Sequence, residues 1–409
     1  MKKLILSIIF PIVAFFASAT VKPGIEVLRD NGFKQLQGKR VGLITNPTGV
    51  DNSLKSTVDI LHEAPGVELV ALYGPEHGVR GDVHAGDHVG NSVDPTTGVK
   101  VYSLYGKTRK PTPDMLKDID VLIYDIQDNG CRSYTFISTM GEAMEACAEN
   151  GKEFMVLDRP NPVSGNKVEG NLAEEGFFSF VSKFPIPYLY GLTPGELAIM
   201  INKEKMLKNG VQANLTVIPM EGWSREMTFD KTGMPWVLPS PHIPTAESAI
   251  YYPASGILGE LGYMSIGIGY TLPFQLFAAP WIKADEFAKA MNDLNIEGVK
   301  FRPINIKPFY SVGKGENLGG VQIYVTDLEK APLSLIQFYA MQELAKLYPD
   351  KAVFANADEK RYRMFDLVCG SDYIRTNFSK QHKVADIKEY WNKDAKAFAD
   401  KSKQYYINK

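Results

Sequence analysis

Five short apolar runs rich in β-branched residues punctuate the first part of this chain: Arg40 to Thr45, Val67 to Tyr73, Val99 to Leu104, Val121 to Ile126 and Phe154 to Leu157. This recurrence constrains the fold more than any other feature. Helical periodicity separates the runs, with Leu54, Val58 and Leu61 on one face and Phe136, Met140, Met144 and Cys147 on another. Strands alternating with amphipathic helices read as a mainly parallel α/β sheet. Met140, Met144 and Cys147 are then core residues. Further on, Thr193-Pro194-Gly195-Glu196 places an N-cap, a first-position proline and a capping-box glutamate in order, opening a helix expected to close the first domain.

From Pro235 to Pro253 the chain turns proline-rich and loses periodicity, as an interdomain crossing would. Beyond it come a helix carrying Phe287, Met291 and Leu294, an extended segment over 320–326, and a strong helix from Leu333 to Tyr348. The expected architecture is a Rossmann-like sheet domain over 20–240 and a smaller α+β domain over 241–409. The Lys-rich end reads as a solvated final helix. The 409 residues exceed the usual size of one core, and an apolar fraction of 44% supplies two.

The first residues set the compartment. Lys2 and Lys3 precede an uncharged apolar run from Leu4 to Phe16 and the triplet Ala17-Ser18-Ala19, the pattern of a secretory signal peptide over 1–19. The run is shorter than the roughly 20 residues a membrane-spanning helix needs. The mature chain is expected to begin near Thr20, with no transmembrane segment and a periplasmic location. A formal net charge of -2 without a clustered basic face argues against nucleic acid. Cys131, Cys147 and Cys369 are too widely spaced for a zinc site and read as buried free thiols.

In a parallel sheet, ligands bind beyond the carboxyl ends of the strands. Those ends are polar here: Asn46-Pro47-Thr48-Gly49 after the first run, Gly74-Pro75-Glu76-His77-Gly78 with Arg80 after the second. Asp125, Asp128-Asn129-Gly130 and Arg132-Ser133-Tyr134-Thr135 follow the fourth, and Asp158-Arg159-Pro160-Asn161-Pro162 the fifth. Any one of these could cap a helix or make a turn. Three arginines beside four carboxylates exceed what turns require. Glu76, between a proline and a histidine, is poor turn chemistry, and a partly enclosed carboxyl there is suited to donating a proton.

Together Gly74 to Gly81, Tyr102-Ser103-Leu104-Tyr105-Gly106, Asp125-Ile126-Gln127-Asp128, Arg132 to Thr135 and Leu157 to Pro162 resemble the exo-acting β-N-acetylmuramidase family. The likeness continues through Glu169-Gly170, Pro239 to Thr245, Pro273-Phe274, Ala279-Pro280-Trp281 and Gly370-Ser371-Asp372, nearly the whole mature chain. It implies a glycoside hydrolase that releases N-acetylmuramic acid from non-reducing ends of peptidoglycan fragments, in a cleft between the two domains, without cofactor. On that likeness Glu76 is the catalytic glutamate, with Asp125 or Asp128 as second carboxylate. His77 and Arg80 orient it, and Asn46, Arg132, Tyr134, Arg159, Asn161, Glu169 and His242 bind the sugar. An arginine is the natural partner of the lactyl carboxylate.

The chain departs from the family where Gly267-Ile268-Gly269-Tyr270-Thr271 stands in place of Gly-Arg-Gly-Thr, and where Gln275 replaces an acidic residue. Two lost charges keep open a hydrolase of a different amino-sugar glycan or a non-catalytic sugar-binding paralogue. A metal hydrolase built on His77, His84 and His88 with Asp82 and Asp87 fits no established ligand spacing. No metal is expected. A dinucleotide site lacks its Gly-x-Gly-x-x-Gly after the first strand.

Overall fold

The computed structural model describes residues 20–76, 78–81 and 92–408. The first domain is built on a seven-stranded sheet among the described residues. Its strands are β1 (Arg40–Thr45), β2 (Glu68–Gly74), β3 (Ser92–Val93), β4 (Lys100–Ser103), β5 (Val121–Asp125), β6 (Glu153–Leu157) and, after a two-stranded hairpin of β7 (Val168–Glu169) and β8 (Leu189–Tyr190), β9 (Asn214–Ile218). They lie in the order β3-β4-β2-β1-β5-β6-β9, parallel throughout except for the edge strand β3.

Side chains of β5 explain why the runs are apolar at every position. Val121 and Ile123 enter one core with Val41 and Leu43, whereas Leu122 and Tyr124 enter another with Ile44 and Tyr73. Helices α1 (Gly24–Asp30) and α2 (Thr57–His62) contribute to the first core. Helices α3 (Pro113–Leu116), α4 (Phe136–Glu149) and α5 (Pro194–Lys203) contribute to the second. With both faces covered, no strand position is free to be polar until the strand ends.

Local differences from the sequence reading have local causes. Leu54 lies outside α2 with φ at 67° and is 58% exposed, because Ser56 caps the helix by accepting from the Asp59 amide at 3.0 Å. The capping box at Thr193 and Glu196 forms as expected. Helix α5 does not close the domain, since the chain returns through β9 to pair with β6.

The second domain packs α6 (Ala246–Gly259), α7 (Ala284–Asp293) and α8 (Ile336–Leu347) with an antiparallel sheet of β10 (Leu276–Ala279), β11 (Val299–Ile306) and β12 (Leu318–Val325), in the order β10-β12-β11. A 3-10 turn over 333–335 precedes α8, and further helices follow. The final helix over 395–402 is not simply solvated. Phe398 and Tyr405 are buried in the first domain's core, and the Asn408 amide donates to Asp158 at 2.7 Å. In return Cys131, Val163, Tyr188 and Leu189 enter the second domain's core. The three cysteines are buried and free. No helix among the described residues is long and apolar enough to cross a membrane.

Candidate active site

The winding direction reverses between β1 and β5: the chain proceeds outward from β1 to β2 and β4, then returns to β5 on the other side of β1. Loops leaving the carboxyl ends of these two strands therefore diverge, and the crevice between them is where an α/β sheet binds its ligand. The loop after β1 is fixed by Asn46, whose Oδ1 accepts from the Thr48 amide at 3.0 Å and the Thr48 hydroxyl at 2.5 Å. Thr48 Oγ1 in turn accepts from the Gln127 amide at 2.8 Å, tying this loop to the one after β5. Gly130 turns that second loop with φ at 80°, and a Cβ there would stand 2.4 Å from Asn161 Oδ1, so no other residue fits.

Tight turns account for one side of these polar groups and leave the other side over. Asn46 Nδ2, Gln127 Oε1, Asp128 Oδ1, Asn129 Nδ2 and the Tyr134 hydroxyl are all buried without a hydrogen-bond partner among the described residues. Tyr134 lies near Ser240 but makes no bond of ordinary geometry with it. Buried polar groups are nearly always paired. Their concentration at the switch point marks a surface shaped for something besides packing.

Glu76 follows β2 on this same rim, held in a turn closed by the Gly78 amide on the Pro75 carbonyl at 3.0 Å. It is partly exposed. Its Oε2 accepts from the Thr135 hydroxyl at 3.3 Å, at the start of α4. Tyr105, in the loop after β4, lies close enough to Glu76 for the carboxylate charge to act on its phenol. Burial, and then the Glu76 charge, push its phenol up to about 12, so it remains a donor at neutral pH. Thr135 and Tyr105 both lie inside motifs the sequence displays, yet neither was singled out. The position of Tyr105, just past a strand end, is the signal that finds it.

The other carboxylates expected to do chemistry are placed differently. Asp125 is fully buried and clasped by Arg159, Nε to Oδ1 at 2.5 Å and Nη2 to Oδ2 at 2.9 Å, with the Thr57 hydroxyl at 2.5 Å. Both side chains are buried, and both oxygens of Asp125 are engaged within the protein. Asp128 is also buried; its Oδ2 accepts from the Gly130 amide at 2.8 Å and from the Tyr190 hydroxyl. Burial raises its carboxyl to about 6, against those bonds.

Several expected sugar ligands are fixed elsewhere. Arg132 is completely buried and donates to Ser182 Oγ, the Asn171 and Ile186 carbonyls, and the Val368 carbonyl of the second domain. Burial lowers its guanidinium to about 10. Asn161 braces its own loop and the Leu192 carbonyl. Glu169 accepts from the Leu333 and Ser334 amides at 3.1 and 2.8 Å, capping the turn before α8 across the domain boundary. Arg80 is paired with Asp94 at 2.8 Å, and with Asp59 at 3.4 Å, instead of orienting Glu76. His242 is half-buried and bonded to the Tyr310 hydroxyl at 3.0 Å, on the second domain. His77 lies outside the described residues, as do His84, His88, Asp82 and Asp87. Among the described residues no group of three or more His, Cys, Asp or Glu side chains is placed to hold a metal.

In the departing loop, Gly267 and Gly269 both have φ near 90°, and the Gly269 carbonyl accepts from the Phe309 amide at 2.7 Å. A Cβ at Gly269 would stand 1.9 Å from the Tyr310 carbonyl oxygen. The glycines thus keep the backbone seated while the half-buried Ile268 packs against the second domain's core.

Fold and site define a two-domain α/β enzyme with one reachable carboxyl among the three candidates, at a Rossmann-type switch point. Comparison with known proteins makes the class specific. The chain belongs to the exo-β-N-acetylmuramidase NamZ family and is a glycoside hydrolase: the N-terminal family model matches residues 41–247 and the C-terminal one residues 250–407. The peptidoglycan β-N-acetylmuramidase NamZ of Bacillus subtilis is 48% identical over 387 residues, covering 95% of this chain and 91% of that protein. A solved DUF1343 family protein of Bacteroides fragilis has a TM-score of 0.92 and 62% identity, covering 95% of this chain and 99% of that one. A second from the same organism has a TM-score of 0.75 and 29% identity, covering 96% and 99%.

Proposed function

We propose that this enzyme releases N-acetylmuramic acid from the non-reducing ends of peptidoglycan fragments, with Glu76 as the general acid. The observation that carries the reading is the placement of Glu76. Of the three candidate carboxylates it is the one partly exposed, and it stands on the rim where unpaired buried donors and acceptors collect. Family membership and the activity of the Bacillus relative support the substrate.

The reaction requires a proton on the glycosidic oxygen as the bond to the anomeric carbon breaks, and a nucleophile on the opposite face. Glu76 supplies the proton. Asp125 has both carboxylate oxygens engaged by protein partners and Asp128 is fully buried, so we assign the nucleophile to the substrate's own acetamido oxygen, the substrate-assisted route. It closes on the anomeric carbon as the leaving sugar departs. Glu76, now ionised, then takes a proton from the water that opens the ring intermediate. Thr135 holds the carboxylate in place through both steps, with the Tyr105 phenol beside it. The acid–base cycle thus needs no second protein carboxylate.

The test is release of N-acetylmuramic acid from a muramic-acid-terminated disaccharide and an aryl β-N-acetylmuramide, followed by mass spectrometry. Wild type should release the sugar. Glu76→Gln should lose a factor of about 10² to 10⁴ on the disaccharide, whose leaving group needs the proton. Binding without turnover in the wild type would instead favour a sugar-binding paralogue, which the uncharged Ile268 loop motivates. We further propose that the protein acts in the periplasm after cleavage near Thr20, on the strength of its first 19 residues. Amino-terminal sequencing of the periplasmic fraction tests this, and full-length protein in the cytoplasm would refute it.

A further inference from the structure

Two motifs that the Glu76 rim does not use, Pro239 to Thr245 and Gly267 to Thr271, meet at the tip between β11 and β12. His242 Nε2 is bonded to the Tyr310 hydroxyl at 3.0 Å, and the Phe309 amide donates to the Gly269 carbonyl at 2.7 Å. Tyr270 and Phe309 stack with ring planes 16° apart and centres 6.3 Å apart. The tip closes on itself through the Gly315 amide on the Pro308 carbonyl at 2.9 Å and the Lys314 amide on the Ser311 carbonyl at 3.2 Å. Yet Phe309 is 69% and Tyr310 50% exposed. A line of contacts joins this platform to the crevice. Phe274, in the same loop as Gly269, packs edge-on against Tyr252 with ring centres 4.9 Å apart, Tyr252 packs against Tyr134 at 5.5 Å, and the neighbouring Thr135 donates to Glu76 at 3.3 Å.

A single exposed apolar side chain needs no explanation, but adjacent rings fixed in the open by backbone bonds do. Aromatic faces with a hydroxyl and an imidazole at their edge suit a sugar, which is apolar on its face and polar around its rim. A platform already held in shape loses little freedom on binding. Lys307 and Lys314 flank the rings. Both are exposed, neither has an ion-pair partner among the described residues, and they outnumber the tip's one acid, Glu316. Peptidoglycan supplies the complement, because every second sugar carries a carboxylate on its lactyl group or on the peptide attached there. An exo-acting enzyme releases only the terminal sugar, so most of the strand lies beyond the bond being cut. We infer that this tip is a second glycan-binding surface, with Phe309 and Tyr310 stacking on sugar rings of the remaining strand and Lys307 and Lys314 meeting its carboxylates. The inference rests on the muramidase reading.

Titration calorimetry on the mature Glu76→Gln chain, in which turnover is slowed, tests this with two peptide-free ligands: N-acetylmuramyl-N-acetylglucosamine and the hexasaccharide of three such repeats. The hexasaccharide should bind about tenfold more tightly than the disaccharide. Adding Phe309→Ala and Tyr310→Ala should abolish that gain, Phe309→Tyr should keep it, and Lys307→Ala/Lys314→Ala should reduce it. All four side chains are exposed, and unchanged thermal melting would show that the variants fold. Should loss of the His242 bond unsettle Tyr310→Ala, Phe309→Ala alone carries the test. Equal binding of the two sugars, or a gain that survives unchanged without the rings or without the lysines, would overturn the assignment. So would ring-dependent binding to phosphatidylglycerol vesicles in place of the hexasaccharide, which would make the tip a membrane contact. Failure of the muramidase reading appears separately, as absence of sugar release from the aryl β-N-acetylmuramide, a substrate with no second sugar.

Discussion

Asp125 and Arg159 form a buried ion pair at the centre of the crevice floor, with both carboxylate oxygens engaged and neither side chain more than 2% exposed. Arg159 also reaches the Val50 carbonyl at 2.8 Å, so the pair ties the ends of β5 and β6 to the loop after β1. Breaking one half leaves the other charge buried alone. Arg159→Met should therefore destabilise the protein by about 3–5 kcal/mol, measured by urea unfolding. The double variant Asp125→Leu/Arg159→Met should recover much of the loss. An Asp125→Asn variant of unaltered stability but without activity would restore Asp125 to the chemistry.

Arg132 extends the same logic across the domain boundary. Its guanidinium joins three first-domain acceptors to the Val368 carbonyl, within the helix over 362–369. Lysine cannot reproduce a planar fork aimed at four acceptors. Arg132→Lys should lower stability by about 3 kcal/mol, and activity at elevated temperature should follow the folded fraction seen by circular dichroism. A raised KM at full stability would instead place Arg132 at the substrate.

These arginines show where reading the sequence stopped. The strands and their polar ends were legible because each run is apolar on both faces, as the split of Val121 and Leu122 between two cores confirms. Glu76 was legible because turn chemistry gives no reason for it. Nothing local separates an arginine that meets a ligand from one clasped inside. Arg132 finds a partner 236 residues away, and Asp158 finds Asn408 250 residues away. The tail's return to the first domain escaped for the same reason: Phe398 and Tyr405 sit in a Lys-rich segment whose apolar face has meaning only against a distant core.

Tyr105 offers a test of how Glu76 is held. A hydrogen bond to a charged group contributes about 1.5–3 kcal/mol, or roughly ten- to a hundredfold in rate if it holds through the transition state. Tyr105→Phe should lower kcat on the disaccharide by that factor and leave KM little changed. A change confined to KM would make Tyr105 a sugar contact, not a positioning residue for Glu76.

Substrate assistance predicts the stereochemistry. Attack by the acetamido oxygen and then by water inverts the anomeric carbon twice, so proton NMR of a fresh reaction should show the β-anomer of N-acetylmuramic acid before mutarotation. Initial appearance of the α-anomer would require a carboxylate that activates water directly, and the assignment of the nucleophile would fall.

The last prediction concerns pH and the anchored tail. Asp158 is fully buried, accepting from the Thr193 hydroxyl at 2.8 Å, the Gly195 amide at 2.8 Å and the Asn408 amide at 2.7 Å. Burial, and next the charge of Glu196, raise its carboxyl to about 7. An unfolded aspartate ionises near 3.9, so between about pH 4 and 7 the folded chain holds a proton that the unfolded chain has released. The resulting stabilisation is complete below about pH 4 and is lost as pH rises through about 7. Asp128, raised to about 6, adds in the same direction. Asp94 opposes it: Arg80 holds that carboxyl down at about 2, and its contribution is present above about pH 4 and lost below. The wild-type curve mixes these slopes, whereas the difference between wild type and Asp158→Asn isolates one. Relative to the variant, wild type should lose stability steadily from about pH 5 to pH 7.5 in urea unfolding. Parallel curves over that range would mean that Asp158 is already ionised in the folded protein, held by its three donors.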